Sequence, residues 1–342
     1  MTTNVLLTGA GGNLAHFIHL ALKASVLPMR VVGCNYNAFG AGNYLADVCY
    51  VVPPAKDSAY VSAILDICAS EKIHIIMVGG MVEQRILAEN RQRIAEATGA
   101  FVVSSTPEVL RKVEDKWEFV KQLARSGFDY PKSVLPQDGA KLEQFLDEVA
   151  YPYIIKDRFG GGSQAVFTVQ NQKELSYYSE RLPSPVIQEY LFPDDEEYTV
   201  GVFIGSNGTA AGSIVVKRRL GLGMTFSGQV LPDSPLGEYC ERMMESAGCL
   251  GPVNVQLRLT ERGPVAFEVN TRFSSTTSAR AHYGYNEAEM CLRHFIMQEE
   301  IARPIIRSGR FFRIVEEVFV SDQEFEALNT QKRIENRSPF PA

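Results

Sequence analysis

At 342 residues the sequence is longer than one typical domain, enough for roughly two or three domains that each bury a core. A hydrophobic fraction of 45% and a formal net charge of -6 describe an ordinary soluble globular protein and argue against a general nucleic-acid binder or a polybasic membrane anchor. Six cysteines without CxxC spacing and five scattered histidines exclude a disulfide scaffold and a His-rich metal site, and fit reduced thiols in a cytoplasmic protein.

The chain starts on the strand-like run VLLTGA with no charged leader before a long apolar segment, so no signal peptide is expected. No apolar run reaches the length of a membrane span. Strands and helices then alternate: strand 5–7, helix 13–24, strands 30–34 and 48–52, helix 58–70, strand 73–78, helix 81–97 and strand 100–103. This alternation predicts a parallel doubly wound sheet, with a domain boundary at about residue 105. The first turn, Gly9-Ala10-Gly11-Gly12-Asn13-Leu14, departs from the dinucleotide fingerprint, because Leu14 replaces the third glycine and the second strand ends in Cys34-Asn35 rather than an acidic residue. A structural turn is preferred to NAD binding there, although a helix start rich in backbone donors can receive an anionic group. His16 and His19 share a helix face without a matching carboxylate or cysteine and read as ordinary helix residues.

Thr106-Pro107-Glu108 predicts an N-cap followed by proline at the first helical position. The amphipathic pattern continues through Glu114-Asp115-Lys116-Trp117 to Arg125 and ends near Gly127. A helix over 139–149 leads into YPYIIKDRFGGGSQAVFTV, where Lys156 stands at the end of a strand and Gly160, Gly161, Gly162 and Ser163 precede a return strand. Glycines there let successive amides converge on phosphate oxygens and the lysine adds a point charge; a plain flexible turn is the alternative reading. Strands over 186–191 and 198–204 flank the acidic turn Asp194-Asp195-Glu196-Glu197. The strand over 212–219 ends in Lys217-Arg218-Arg219, a solvated cluster in most settings and a phosphate or substrate contact beside a nucleotide site. After a glycine-punctuated loop, 221–228, and a helix, 235–247, comes VNVQLRLTERGPVAFEVNTRF, two alternating runs around Glu261-Arg262-Gly263-Pro264 that predict a β-hairpin. Period two puts Glu268 and Asn270 on one face, with Gln256 on the paired strand. These hard oxygen donors suit Mg²⁺ when phosphate completes its shell, and Arg272 follows on the same face as a planar fork for an anion. The polar, proline-bearing stretch from Thr330 is expected to be mobile.

In order, Asp115-Lys116, Lys156 with the triple glycine, Gln188-Glu189-Tyr190-Leu191, Glu197-Tyr198-Thr199-Val200, Gln256 and Glu268-Val269-Asn270-Thr271-Arg272 resemble the ATP-grasp superfamily. NVQ and FEVNTRFSSTTSAR are most similar to the synthetase units of the carbamoyl-phosphate synthase large subunit. The resemblance implies an α/β and α+β fold: a Rossmann-like pre-ATP-grasp domain over 1–105, then two α+β subdomains that clasp ATP. Subdomain A with its linker helix covers 106–192, subdomain B with the metal site 193–310, and a C-terminal segment and tail 311–342.

ATP and Mg²⁺, with Mn²⁺ as an alternative ion, are the implied cofactors. Lys116 and Lys156 would contact ATP phosphates under a lid of Gly161, Gly162 and Ser163, with Glu189 and Leu191 at the adenine hinge and Glu197 on the ribose hydroxyls. Gln256, Glu268 and Asn270 would hold the metal, and Arg272 with Lys156 would serve catalysis. Thr271 stands where the family often has proline, and Gln256 where many members place a carboxylate. The implied activity is an ATP-dependent carboxylate-amine ligase working through an acyl phosphate. The alternatives are a kinase of bicarbonate or carbamate and a non-catalytic ATP-binding regulator. Small-molecule carboxylate and amine substrates are the expected partners, and a homodimer is common among similar proteins. An acceptor pocket is expected from the first domain, the 221–228 loop and residues 274–285, with Arg280 binding a substrate carboxylate.

Overall fold

A computed structural model describes residues 2–160, 165–221 and 223–336. Its first layer contains strands β1 (Thr3–Thr8), β2 (Met29–Asn35), β3 (Val48–Val51), β4 (Ile75–Val78) and β5 (Phe101–Val102), parallel and in the order β3-β2-β1-β4-β5. Helices α1 (Asn13–Lys23), α2 (Tyr60–Ser70) and α3 (Met81–Thr98) form the crossovers. Val5, Leu6 and Leu7 of β1 are all buried, as a strand covered on both faces requires. The doubly wound sheet read from the sequence is the one observed. Gly99 stops α3 with φ 76°, a left-handed cap that glycine adopts without strain.

Where the sequence reading runs one helix from Thr106 to Arg125, the structure has two, α4 (Pro107–Glu114) and α5 (Lys116–Arg125). Asp115 leaves helical geometry (φ -77°, ψ 110°), and its carboxylate accepts from the backbone N–H groups of Trp117 and Glu118. An N-cap acid had interrupted an otherwise continuous apolar pattern.

A four-stranded antiparallel sheet follows, made of β6 (Ser133–Val134), β7 (Tyr153–Asp157), β8 (Val166–Val169) and β9 (Pro185–Glu189) in the order β6-β9-β7-β8. Helices α6 (Gly139–Glu148) and α7 (Gln172–Arg181) cover it through Phe145 and Leu175, which pack with Tyr153 and Ile187. The next sheet contains β10 (Glu197–Ile204), β11 (Ala210–Gly221), β12 (Met224–Val230), β13 (Gly251–Thr260), β14 (Gly263–Asn270) and β15 (Gly309–Phe312), ordered β14-β13-β10-β11-β12-β15. Helix α8 (Pro235–Ala247) packs Cys240, Met243 and Met244 against Val200, Val202, Val253 and Val255. Helices α9 (Thr277–His282) and α10 (Glu287–Cys291) lie between β14 and β15. Tyr285 and Cys291 join Phe203 and Ile214 in one core with Ile18 and Leu22 of α1, so the first domain is packed onto the last sheet.

The C-terminal stretch corrects the expectation of mobility over its described part. Helix α11 (Asp322–Gln331) begins at a reciprocal cap in which the Ser321 hydroxyl accepts from Glu324 N–H and the Glu324 carboxylate accepts from Ser321 N–H. Strand β16 (Arg333–Glu335) then pairs antiparallel with β3. Only Ile334 of β16 is buried, so its composition carried almost no strand signal. Among the described residues no helix is long and apolar enough to cross a membrane, and all six cysteines are buried and unpaired.

Candidate active site

The β13–β14 hairpin sets the site's floor. Register places Gln256 directly opposite Glu268 and Asn254 opposite Asn270, with a bulge after Gln256. Asn270 Nδ2 donates to Glu268 Oε1 at 3.0 Å, and Arg272 Nη2 donates to Asn270 Oδ1 at 3.1 Å. Three side chains thus form one linked row. Burial holds Arg272 below its ordinary pKa, opposed by the nearby charges of Glu114 and Glu268, and among the described residues its Nε has no hydrogen-bond partner.

Lys156 reaches the same floor from β7. Its Nζ donates to the Phe267 carbonyl at 3.3 Å and sits 5.5 Å from that ring's centroid. Burial first, then repulsion from Lys116, brings its pKa from 10.5 down to about 7. Among the described residues Lys156 has no carboxylate within ion-pair distance, so a buried cation awaits an anion. Lys116 Nζ donates to the carbonyls of Gly160 (2.5 Å) and Arg158 (3.4 Å), at the root of the glycine loop. Gly161, Gly162 and Ser163 lie outside the described residues.

A cleft of about 190 Å³ opens between the two antiparallel sheets, lined by Lys156, Glu189, Leu191, Glu197, Gln256 and Glu268 among others. Glu197 Oε1 accepts from Arg218 Nε and Nη2 (3.0 and 2.7 Å), while its Oε2 accepts from Arg258 Nη2 at 2.6 Å. Arg218 Nη2 also donates to Gln256 Oε1 at 2.7 Å, tying the expected ribose acceptor to the expected metal donor. Arg258 Nη1 donates to the Leu191 carbonyl, and Glu189 is ion-paired with Arg262 and accepts from Lys132 N–H at 2.6 Å. Sequence reasoning did not single out Arg258, and it met Arg218 only inside a basic triplet. Strand alternation separates Arg218 from Lys217, which pairs instead with Glu196, and would have flagged it.

A second pocket of about 240 Å³ shares Arg218, Gln256 and Glu268 with the cleft and adds Asn270, Arg272, Asn13, Thr225 and the Ser274-Ser275-Thr276 run. Arg280 is not in it. Its side chain is fully buried, paired with the equally buried Glu287 at 2.8 Å, and donates to Asn254 Oδ1 at 2.5 Å. The expectation that Arg280 binds substrate is corrected: the guanidinium is consumed behind the pocket wall, where it braces Asn254 beside the Glu268–Asn270–Arg272 row.

The donor set fits a magnesium nucleotide through its own chemistry. Gln256, Glu268 and Asn270 supply oxygens with one negative charge between them, and among the described residues no group of three or more His, Cys, Asp or Glu side chains could hold a metal alone. Phosphate oxygens would have to complete the shell. The buried Lys156 and the orphaned Arg272 Nε face the same need for an anion.

A doubly wound domain followed by two sheets that close on such a cleft defines the class of nucleotide-clasping enzymes. The comparisons identify which: residues 113–276, a little under half of the chain, match the ATP-grasp domain family, and residues 5–102 match the PylC-like N-terminal domain. It is 22% identical over 277 residues to the carbamoyl phosphate synthase large chain of Micrococcus luteus, covering 75% of this chain and 24% of that one. The chain therefore spans about a quarter of that relative's length. An N5-carboxyaminoimidazole ribonucleotide synthetase solved with ADP superposes with a TM-score of 0.72 at 14% identity, covering 96% of this chain and 84% of the other. The biotin carboxylase domain dimer of Hydrogenobacter thermophilus 2-oxoglutarate carboxylase, solved with magnesium ADP and bicarbonate, gives 0.64 at 17% identity over 85% and 69%.

Proposed function

We propose that the protein is an ATP-dependent ligase that activates a small carboxylic acid as its acyl phosphate and joins it to an amine, releasing ADP and phosphate. The observation that carries this reading is the shared floor: the Glu268–Asn270–Arg272 row belongs to the pocket, and Glu268 and Gln256 also line the nucleotide cleft. A carboxylate in the pocket would meet the γ-phosphate end of a nucleotide in the cleft. The pocket's volume of about 240 Å³, with Arg218 and Arg272 as cations beside the polar Asn13, Thr225, Ser274, Ser275 and Thr276, suits an organic acid larger than bicarbonate.

Phosphoryl transfer needs alignment and charge neutralisation more than covalent help. Lys156 would neutralise the transferring phosphoryl group and Arg272 would hold it against the acid by its planar fork. Glu197, oriented by Arg218 and Arg258, would accept the ribose hydroxyls; Glu189 and Leu191 would flank the base; Lys116 would contact the phosphates. Gln256, Glu268 and Asn270 would hold Mg²⁺, with Mn²⁺ as a substitute, which when bound would supply positive charge against that of the phosphates. Exclusion of water from the cleft would preserve the acyl phosphate until the amine attacks.

The test is ADP release from ATP and Mg²⁺ with pooled carboxylic acids, in the presence and absence of pooled amines and amino acids. Release that needs both substrates is expected. Release driven by bicarbonate alone would overturn the ligase reading in favour of a bicarbonate kinase, and tight ATP binding without any release would make the protein a nucleotide-dependent regulator.

A further inference from the structure

Thr271 separates the metal donor Asn270 from the phosphoryl-binding Arg272, and it lies just past the last ladder pair of the hairpin, Asn254 with Asn270. The strand ladder no longer fixes the chain at this point. Two side chains from elsewhere do. Gln84 Nε2, on α3 of the first domain, donates to the Thr271 carbonyl at 2.7 Å and lies 3.2 Å from its hydroxyl. The hydroxyl donates in turn to Glu114 Oε1, the last residue of α4, at 3.0 Å. Arg85 Nε stands 3.5 Å from the other Glu114 oxygen. Gln84, Glu114 and Thr271 are all buried.

This node is costly to keep. Among the described residues Gln84 Oε1 and Glu114 Oε2 are buried without a hydrogen-bond partner, and burial raises the Glu114 pKa. Apolar side chains of similar volume would pack three elements together without leaving orphaned polar atoms. The polar choice makes sense if a particular placement of Thr271 is what matters. Thr271 is free in φ and is held from outside by two side chains.

We infer that Gln84 and Glu114 are positioning residues that act through Thr271 to hold Asn270 Oδ1 and the Arg272 guanidinium at the metal-phosphate end of the cleft. The first domain thereby completes the phosphoryl site instead of only flanking it. Pinning Thr271 by both its carbonyl and its hydroxyl leaves one orientation for its two neighbours, as a second shell orients metal ligands elsewhere. The inference rests on the magnesium-nucleotide reading proposed above.

The experiment measures ADP affinity by calorimetry with Mg²⁺ and again with EDTA, for the wild type, Thr271→Val, Thr271→Ser and Gln84→Met, with thermal unfolding as the check on folding. Wild type is expected to bind ADP more tightly with Mg²⁺. Thr271→Val and Gln84→Met are expected to lose roughly tenfold or more of that metal-dependent gain while affinity in EDTA stays put, and Thr271→Ser, which keeps the hydroxyl, is expected to retain it. Variants that keep the full gain overturn the clamp, as does an equal loss with and without metal, which would mark general damage. A wild type with no magnesium effect removes the nucleotide reading itself, and the clamp with it.

Discussion

Replacing Arg280 by methionine distinguishes a brace from a substrate contact. The guanidinium is fully buried, its Nη1 is 2.8 Å from Glu287 Oε1, and its Nη2 donates to Asn254 Oδ1 and, at 3.3 Å, to Thr199. Strand β10 is bare of a side chain where this group passes, since a Cβ on Gly201 would fall 2.5 Å from Arg280 Nη1. Methionine fills similar space but leaves the Glu287 carboxylate, among the described residues, with only the Thr277 hydroxyl 2.8 Å away. Removing one partner of a buried pair costs about 3–5 kcal/mol. With a urea slope of about 3 kcal/mol/M, the midpoint of unfolding should fall by roughly 1–1.7 M. Replacing both partners, Arg280→Met with Glu287→Leu, removes the stranded charge and should recover most of the loss. Substrate KM in Arg280→Met, assayed in low urea-free buffer where the variant is folded, should match wild type. A variant as stable as wild type whose KM rises would refute the brace and return Arg280 to the substrate pocket.

Lys156 has a folded pKa near 7 against 10.5 in its ordinary state, because burial and Lys116 both oppose its charge. Between those values the unfolded chain holds more protons than the folded one, so this group makes stability rise with pH through that window. A bound polyphosphate restores the charge, so nucleotide binding above pH 7 should take up most of one proton and weaken as pH climbs; calorimetry in buffers of different ionisation heat reads the uptake, and uptake that persists in Lys156→Met would sink the assignment. Glu268→Gln removes the only carboxylate of the Gln256–Glu268–Asn270 set and should abolish the magnesium dependence of ADP binding while leaving metal-free binding intact. Full magnesium dependence in that variant would exclude the hairpin as the metal site. Glu197→Gln weakens two charged hydrogen-bonding partners, Arg218 and Arg258, and should cost about 2–3 kcal/mol in urea unfolding together with nucleotide affinity; loss of stability with unchanged affinity would confine Glu197 to a structural role.

What the sequence made legible follows from how local each signal is. The hairpin could be read because alternation and a Gly263-Pro264 turn are confined to some twenty residues, and α8 because its proline start and its Gly248 stop, at φ 71°, act within one turn each. The doubly wound domain was legible for the same reason, each strand being a short apolar run bounded by glycine or a helix. The Asp115 break was present in the sequence as Asp-Lys-Trp-Glu, an acid followed three residues later by glutamate, and was hidden by the apolar period running across it. Arg280 could not have been placed correctly, because whether an arginine faces a pocket or a buried acid depends on Glu287 and on the absence of a side chain at Gly201, 79 positions upstream. The Gln84–Thr271–Glu114 node is the limiting case. Gln84 sits on α3 among polar neighbours and reads as a solvated helix residue, yet its partner is 187 positions away. Thr271 itself was visible as a departure from proline, and a departure of that kind names the position where a distant compensation should be sought without naming the residue that supplies it.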